Sequence, residues 1–146
     1  MSEHTATIDW SLGDAEFTYK TYPRDHTWRF ENGVTVPASA APAYLGSADR
    51  VDPEESFVAS LSSCHMLTFL SLCAKHSHPV ASYRDRAVGV LEKTDSGKLA
   101  ITRVTLHPEI AFTGEAPDAE TIAKLHHEAH ELCFIANSVT TDVRVG

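Results

Sequence analysis

The sequence predicts an α+β fold in which antiparallel sheets cover helices. Three observations lead to this class. Apolar and polar residues alternate through the first third of the chain, two later segments carry apolar residues at helical spacing, and a hairpin pattern lies between those segments. The predicted order is strands, helix, strand pair, helix and strand, within one domain that covers residues 1–146.

The first third of the chain is predicted to form strands and turns. Residues 6–12 alternate with a period of two, and residues 15–20 do so again after a glycine turn, so each segment predicts a strand. Asn32 and Gly33 separate two short apolar segments, which is typical of a β-hairpin. Small residues and prolines from residue 37 to residue 51 predict a loop.

The first predicted helix has a well-defined start. Asp52 suits the N-cap, Pro53 suits the first helical position, and Glu55 lies where a capping-box carboxylate belongs. The apolar residues beyond it cover most of the helix circumference, so we expect the helix to be buried on nearly all sides. A domain of 146 residues has difficulty covering such a helix, and we therefore expect a second chain. The apolar residues are Phe57, Val58, Leu61, Met66, Leu67, Phe69, Leu70 and Leu72.

The second half of the chain continues this alternation of elements. Residues 80–94 and 99–112 predict a long hairpin. A second helix is predicted to start near Asp118, and alternation from residue 139 to residue 145 predicts a final strand. One apolar stripe at helical spacing marks the second helix: Ile122, Leu125, Ala129, Leu132, Cys133 and Ala136.

The composition argues against two classes of partner. The net charge of −8 disfavours a nucleic-acid surface and an anionic membrane surface. The N-terminal segment lacks the basic and apolar regions of a signal peptide, and no uninterrupted apolar run approaches the roughly 18 residues of a transmembrane helix. We therefore expect a cytoplasmic protein, whose three reduced cysteines serve core packing, metal binding or redox chemistry.

Helical geometry restricts how the cysteines can pair. Cys64 and Cys73 are about 180° apart around the predicted helix and roughly 13 Å apart along it, which excludes a disulfide between them. A partner for Cys64 would have to be Cys133. Cys133 lies on the apolar stripe, so simple core packing is the alternative for that thiol.

The histidines suggest a competing metal site. His126, His130 and Cys133 share one helical face and, with Cys64 or His65, would offer mixed nitrogen and sulfur ligands to zinc. The spacing lacks the glutamate of the HExxH motif, and nine histidines make such patterns common by chance. The alternative is a solvated His126 and a half-buried, hydrogen-bonded His130.

A reactive cysteine needs a group that stabilises its thiolate. A guanidinium keeps its positive charge, and the candidates are Arg24, Arg29 and Arg50. A buried arginine would itself need a carboxylate, which Glu54 or Glu55 would supply. Composition and spacing do not choose among these residues.

Five segments together resemble one known family. They are YPRDH, NG, ASAAP, DPEESFVASLSSCHMLTFL and AHELCFIANS, in this order along almost the whole chain. The chain resembles the OsmC/Ohr family of thiol-dependent hydroperoxide reductases. The resemblance implies an intertwined homodimer in which antiparallel sheets wrap two long central helices. That arrangement agrees with a helix that is apolar on nearly all sides.

The resemblance also implies roles for four residues. Cys64 matches the peroxidatic cysteine, Cys133 the resolving cysteine, Arg24 the family's arginine and Glu54 its acidic partner, whereas Cys73 matches no catalytic position. The implied reaction reduces an organic hydroperoxide, or hydrogen peroxide, through a sulfenic acid and an intramolecular disulfide. The implied reductant is an external dithiol such as a lipoylated protein, and no metal, flavin or haem is required.

Two departures indicate the OsmC-like branch of this family. Phe134 and Ile135 follow the second cysteine where the organic-hydroperoxide branch has proline, and His65 directly follows Cys64. Two alternatives to a peroxidase therefore stay open. One is a metal-binding protein that uses the cysteines and histidines, and the other is a binding module for a small apolar ligand without turnover.

Helical spacing predicts a site that two chains share. Glu54 and Cys64 lie about 15 Å apart along a regular helix, so Arg24 could not contact both within one chain. The strong helix start favours an unbroken helix. We therefore expect Cys64 and Cys133 of one chain to meet Arg24 and Glu54 of its partner.

Overall fold

The computed structural model describes all 146 residues, Met1–Gly146, and confirms a mixed α+β fold. The chain packs into two compact units, Met1–Ser56 and Phe57–Gly146. The single domain stays a prediction. The strands are β1 (Thr7–Asp9), β2 (His26–Arg29), β3 (Thr35–Ala38), β4 (Val80–Asp85), β5 (Val88–Lys93), β6 (Leu99–Leu106), β7 (Pro108–Phe112) and β8 (Asp142–Val145). The helices are α1 (Pro53–Lys75), α2 (Ala119–Leu132) and α3 (Phe134–Asn137), and a 3-10 turn covers Pro42–Tyr44.

The first unit contains an antiparallel sheet in the order β1-β2-β3. Strand β1 occupies only the middle of the segment predicted at residues 6–12. The β2-β3 hairpin confirms the predicted turn, because the Asn32 side chain accepts a hydrogen bond from Val34 N (3.0 Å) and Gly33 has a φ of 84°. The segment from residue 37 to residue 51 is irregular apart from the end of β3 and the 3-10 turn, as predicted.

The strand predicted at residues 15–20 is wrong. This segment forms turns, because the Thr18 and Thr21 hydroxyl groups bind each other (2.6 Å) and the Thr21 N–H donates to the Thr18 carbonyl (3.1 Å). Phe17 instead joins a small aromatic cluster with Trp10 and Tyr22, in which the ring centroids of Phe17 and Tyr22 are 5.4 Å apart. The alternation of apolar residues therefore does not reflect a sheet.

Helix α1 begins with the predicted capping box. The Asp52 carboxylate accepts a hydrogen bond from Glu55 N (2.8 Å), and the Glu55 carboxylate accepts one from Asp52 N (3.3 Å). The helix then runs unbroken to Lys75. It buries a single stripe of side chains, made of Leu61, His65, Phe69, Leu72 and Cys73.

The other apolar side chains of α1 are not covered by their own chain. Leu67 is 61% exposed, and Val58, Met66 and Leu70 are half-buried. Burial on nearly all sides would therefore require a second chain. The intertwined homodimer stays a prediction.

Helix α1 is also long and apolar enough to cross a membrane, with a mean hydropathy of 1.6 over its most apolar window. No uninterrupted apolar run in the sequence indicates a helix of this hydropathy, because serine, threonine and histidine residues lie between the apolar ones. Length and composition alone are weak evidence, since the core helix of a soluble protein passes the same test. The buried stripe of α1 is consistent with such a core helix.

The second unit contains two small sheets. Strand β4 pairs with β7 and β5 pairs with β6, both antiparallel, which confirms the long hairpin predicted from residues 80–94 and 99–112. Strand β8 covers the end of the segment predicted at residues 139–145 and lies parallel to β6. Strand β5 passes close to α1 at Gly89, where a Cβ atom would lie 2.5 Å from Val58 Cγ2.

Helix α2 starts as predicted, because the Asp118 carboxylate accepts a hydrogen bond from the backbone N–H three residues later (2.8 Å). Its apolar stripe is correct as far as Ala129, which is fully buried. As part of one helix, the continuation of that stripe to Ala136 is wrong, although Cys133 is fully buried and Ala136 packs on the core. Leu132 is 50% exposed, and Cys133 takes an extended conformation that separates α2 from α3.

Two hydrophobic clusters fix α1 within the second unit. Leu61 packs with Val104 of β6 in one cluster, and Phe69 packs with Ala129 of α2 in the other. Burying a large apolar side chain contributes roughly 1.5–3 kcal/mol to stability. Cys64 lies on the stretch of α1 between these two clusters, so its backbone is held from both sides.

Candidate functional site

Two cysteines on α1 have different environments. Cys64 is half-buried, whereas Cys73 is 1% exposed and belongs to the cluster around Phe69. Burial raises the pKa of the Cys73 thiol, which disfavours its thiolate. One helix therefore carries an accessible thiol and a core thiol.

Cys133 lies at the junction of α2 and α3 and is fully buried. Its backbone N–H donates to the His130 carbonyl (3.3 Å), and its sulfur accepts a hydrogen bond from Ala136 N (3.4 Å). The residue thus ends one helix and caps the next. These two bonds fix the position of the sulfur.

The thiols of Cys64 and Cys133 are close enough to influence each other. Burial first, and then the neighbouring Cys64 thiol, raise the pKa of the Cys133 thiol, while the Ala136 N–H acts in the opposite direction. Both thiols are free. Helical geometry left Cys133 as the one possible partner of Cys64, and the fold brings these two thiols close together.

The Arg24 guanidinium is held by its own segment of chain. It donates hydrogen bonds to the carbonyls of Tyr22 (2.6 Å) and Tyr19 (2.5 Å), and its carbon lies 3.6 Å from the centroid of the Tyr22 ring. Arg24 makes no ion pair in this chain. The Arg24–Glu54 pair that the resemblance implies is therefore not formed within a single chain.

Glu54 has one unsatisfied oxygen. Its Oε2 atom is buried and has no hydrogen-bond partner. A buried acceptor without a donor costs about 1–3 kcal/mol, and more for a charged group. This oxygen therefore lacks the donor that a buried carboxylate needs.

The other charged candidates have structural partners. Arg29 pairs with Asp9 (2.5 Å), and Arg50 pairs with Asp25 (3.3 Å). Glu55 is used in the capping box of α1. Among the arginines and glutamates considered from the sequence, Arg24 and Glu54 are the two without an ion-pair or capping partner.

The structure contains a buried histidine pair that the sequence analysis did not predict. The rings of His65 and His126 are nearly parallel, and His65 Nε2 lies 3.1 Å from His126 Nδ1. The Phe69 ring stacks on His126 at 4.3 Å between centroids. Burial lowers the pKa of both histidines, and the neighbouring His126 and His130 help to lower that of His65 to about 4.

The burial of these histidines corrects one prediction. His126, expected to be solvated, is 9% exposed, and His65 is 2% exposed. His65 lies four residues after Leu61 and four before Phe69, so the buried stripe of α1 could have predicted its burial. No local pattern connects His65 to His126, because the two are 61 positions apart.

The histidines and cysteines do not assemble a metal site. No group of three or more His, Cys, Asp or Glu side chains is arranged to hold a metal ion. His65 and His126 direct one nitrogen each at the other, and the Cys133 sulfur accepts a backbone hydrogen bond. The zinc arrangement considered from the helical spacing is therefore not formed.

Comparisons with known proteins cover the whole chain. The sequence profile of the OsmC-like protein family matches residues 46–146. An OsmC-like protein of unknown function from Vibrio cholerae O1 is 49% identical, with a TM-score of 0.96 over 100% of this chain and 99% of that chain. None of the curated proteins matches the chain.

More distant structures share the fold. An organic hydroperoxide resistance protein OsmC from Legionella pneumophila is 18% identical, with a TM-score of 0.72 over 99% of this chain and 97% of that chain. The organic hydroperoxide resistance protein OhrB of Bacillus subtilis is 20% identical, with a TM-score of 0.67 over 97% of this chain and 96% of that chain. Since the family profile matches most of its length, this chain belongs to the family of OsmC-like proteins.

Proposed function

We propose that this protein is a cysteine-based reductase of organic hydroperoxides. The observation that carries the proposal is the contact between an accessible thiol, Cys64, and a buried thiol, Cys133. A peroxidatic cysteine must meet substrate, whereas a resolving cysteine needs to meet only the oxidised partner. The structural relatives named for organic hydroperoxide resistance support the same class of chemistry.

The proposed reaction starts with attack of the Cys64 thiolate on the distal oxygen of a hydroperoxide, ROOH. The O–O bond breaks, an S–O bond forms, and the alkoxide takes up a proton and leaves as the alcohol ROH. The Cys133 thiol then attacks the sulfenic sulfur, which forms the disulfide and releases water. An external dithiol restores both thiols by exchange and leaves as its own disulfide.

Arg24 and Glu54 are assigned to the same site, from the second protomer of a homodimer. Helix α1 is unbroken, so Glu54 and Cys64 of one chain lie about 15 Å apart along it. One guanidinium cannot contact both at that separation. The unpaired Glu54 oxygen supports the assignment. On dimer formation Arg24 of the same protomer would turn from its backbone carbonyls toward this acceptor, and the guanidinium would then stabilise the Cys64 thiolate of the other protomer.

An apolar substrate fits the surroundings of the thiols. Leu67 lies one helical turn after Cys64, and Phe134 directly follows Cys133. Both line a cavity of about 390 Å³ whose walls do not include either thiol, and Phe134 is 80% exposed. Fatty or aromatic hydroperoxides would bury apolar surface there, which hydrogen peroxide lacks.

The remaining partners follow from the chemistry. A dithiol, such as that of a lipoylated protein, is the proposed reductant. The proposed compartment is the cytoplasm, where cysteines that are free in the structure stay reduced between turnovers. The proposed cycle needs no metal or organic cofactor.

A thiol titration tests the proposed function. Free thiols are counted in the unfolded protein before and after one equivalent of cumene hydroperoxide, and three should fall to one. The thiol that remains should be Cys73, identified by peptide mass spectrometry. No loss of thiols would contradict the proposal and would favour a binding module without turnover.

A further inference from the structure

A second cavity, separate from the two thiols, lies between α2 and β8. Its volume is about 560 Å³, within the 300–1,000 Å³ range typical of small-molecule sites. Leu106, Ile122, Val143 and Val145 provide apolar walls. Neither Cys64 nor Cys133 lines it.

All polar side chains that line this cavity carry nitrogen. They are His65, His126, His127, His130 and Arg144, and no carboxylate is among them. The contrast with a chain of net charge −8 is marked, because acidic residues outnumber basic ones elsewhere on the protein. The cavity therefore complements a negatively charged or hydrogen-bond-accepting group.

The buried end of the cavity offers a hydrogen-bond donor. The His65–His126 bond uses one nitrogen of each ring. Burial keeps the pair neutral at neutral pH, so two protons are shared among four nitrogens. One N–H and one lone pair are left on the two outer nitrogens, and exchange of tautomers allows either ring to be the donor.

The exposed end of the cavity carries a permanent positive charge. Arg144 binds Asp142 through Nε (2.6 Å) and through Nη2. Its other terminal nitrogen, Nη1, has no partner in the chain, so two N–H groups stay available. The Arg144 side chain is 69% exposed, which leaves it free to turn toward a ligand.

We propose that this cavity binds a monocarboxylate with an apolar tail, such as a medium-chain fatty acid. The tail would pack on the apolar walls, while the carboxylate accepts hydrogen bonds from Nη1 of Arg144 at the exposed end. A singly charged head suits this site, because Asp142 already takes Nε and Nη2 of Arg144 and Nη1 alone is left for a further anion. This site is distinct from the proposed thiol site and does not depend on peroxidase activity.

Calorimetric titration of the purified natural protein tests the site. Octanoate is compared with 1-octanol, which has the same tail without charge, and with acetate, which has the head without the tail. Octanoate should bind one per chain and about tenfold or more tighter than either control, since it alone combines hydrogen bonds from Arg144 with burial of the tail. Equal binding of octanol, or no binding of octanoate, would overturn the proposal.

Two variants locate the binding. Ala123→Phe places a ring in the cavity from an exposed position of α2 and should weaken octanoate binding at least about tenfold. The same substitution at exposed Ala111 of β7, outside the cavity, should leave binding unchanged. Octanoate binding that Ala123→Phe does not weaken would place the ligand elsewhere and overturn the proposal.

The charged head is tested separately. Arg144→Gln should remove the preference for octanoate over 1-octanol, while 1-octanol still binds. Arg84→Gln, at an exposed position of β4, is the control and should preserve that preference. Cys64→Ser should bind octanoate like the natural protein, because the cavity excludes that residue. Loss of octanoate binding in Cys64→Ser would contradict a separate site.

Discussion

The two pairs of side chains assigned to the proposed reaction differ in how complete they are within one chain. Cys64 and Cys133 are in contact, and the buried sulfur is fixed by a backbone hydrogen bond. Arg24 and Glu54 are not paired with each other. Arg24 is satisfied by backbone carbonyls and a tyrosine ring, whereas a Glu54 oxygen is buried without a donor.

The oxidation of the thiols and the activation of the Cys64 thiolate therefore depend on different residues. Formation of the disulfide uses two protein thiols, with the hydroperoxide as the oxidant, and one chain supplies both thiols. Stabilisation of a thiolate requires a nearby positive charge, and the available guanidinium is engaged elsewhere in the single chain. The comparison predicts that the thiol variants and the charge variants fail in different ways.

The largest effect is expected from Cys64→Ser. Loss of the nucleophile should reduce hydroperoxide consumption by about three orders of magnitude or more, because serine is not oxidised in the same way. Initial rates with cumene hydroperoxide and a dithiol measure this. Cys73→Ser is the matched control on the same helix and should retain turnover. An inactive Cys73 variant beside an active Cys64 variant would reverse the assignment.

Cys133→Ser should stop the cycle after one turnover. Without a resolving thiol, Cys64 should react once and then stay at the sulfenic acid or oxidise further. Intact-mass spectrometry should show added oxygen atoms, where the natural protein loses two hydrogens. Sustained turnover of this variant with a dithiol would show that Cys133 is dispensable.

Arg24→Ala should slow the first oxidation and leave disulfide formation intact. Removal of one electrostatic stabiliser typically costs about 10²–10³ in rate. Rapid-mixing measurements of the loss of the first thiol would detect the change. Arg29→Ala is the matched control, since Arg29 forms an exposed pair with Asp9. Equal rates for the two variants would remove Arg24 from the site.

Stability should fall as the pH falls from 7 to 5, because of the buried histidines. The pKa of His65 is lowered to about 4 in the folded protein, so the unfolded chain binds a proton at a higher pH than the folded chain does. Unfolding is therefore favoured below pH 6.5, by about 2 kcal/mol at pH 5. Urea denaturation at the two pH values measures this loss. His65→Leu should remove most of it, whereas the exposed His76→Gln should not.

The smallest effect is expected at the start of α1. Asp52→Ala removes the side-chain half of the capping box and should lower the free energy of unfolding by about 1 kcal/mol. Thermal denaturation of the variant measures the change. A substitution at exposed Asp49 is the control, and an equal effect there would exclude a specific cap.

Elements with local signals could be predicted from the sequence. The capping box of α1, the Asn32-Gly33 hairpin and the start of α2 at Asp118 each depend on residues within a few positions of one another. The strand predicted at residues 15–20 failed because Phe17 packs in a local cluster with Trp10 and Tyr22. There, threonine hydroxyl groups formed turns in place of sheet hydrogen bonds.

The candidate site was only partly predictable. Helical geometry excluded a Cys64–Cys73 disulfide and left Cys133 as the partner, and the two thiols meet. The choice of Arg24 and Glu54 depended on the family resemblance, because spacing did not distinguish them from the other arginines and glutamates. The His65–His126 pair could not be predicted, since long-range packing of α1 against α2 brings the two together.

Complementation between two inactive variants tests the central claim most directly. Chains carrying Cys64→Ser and chains carrying Arg24→Ala are given different affinity tags, refolded together, and purified as heterodimers. One site of such a dimer would hold both defects and the other neither, so about half of the natural rate should return. Heterodimers that are confirmed by mass and show no more activity than the parent variants would contradict a site shared between two chains.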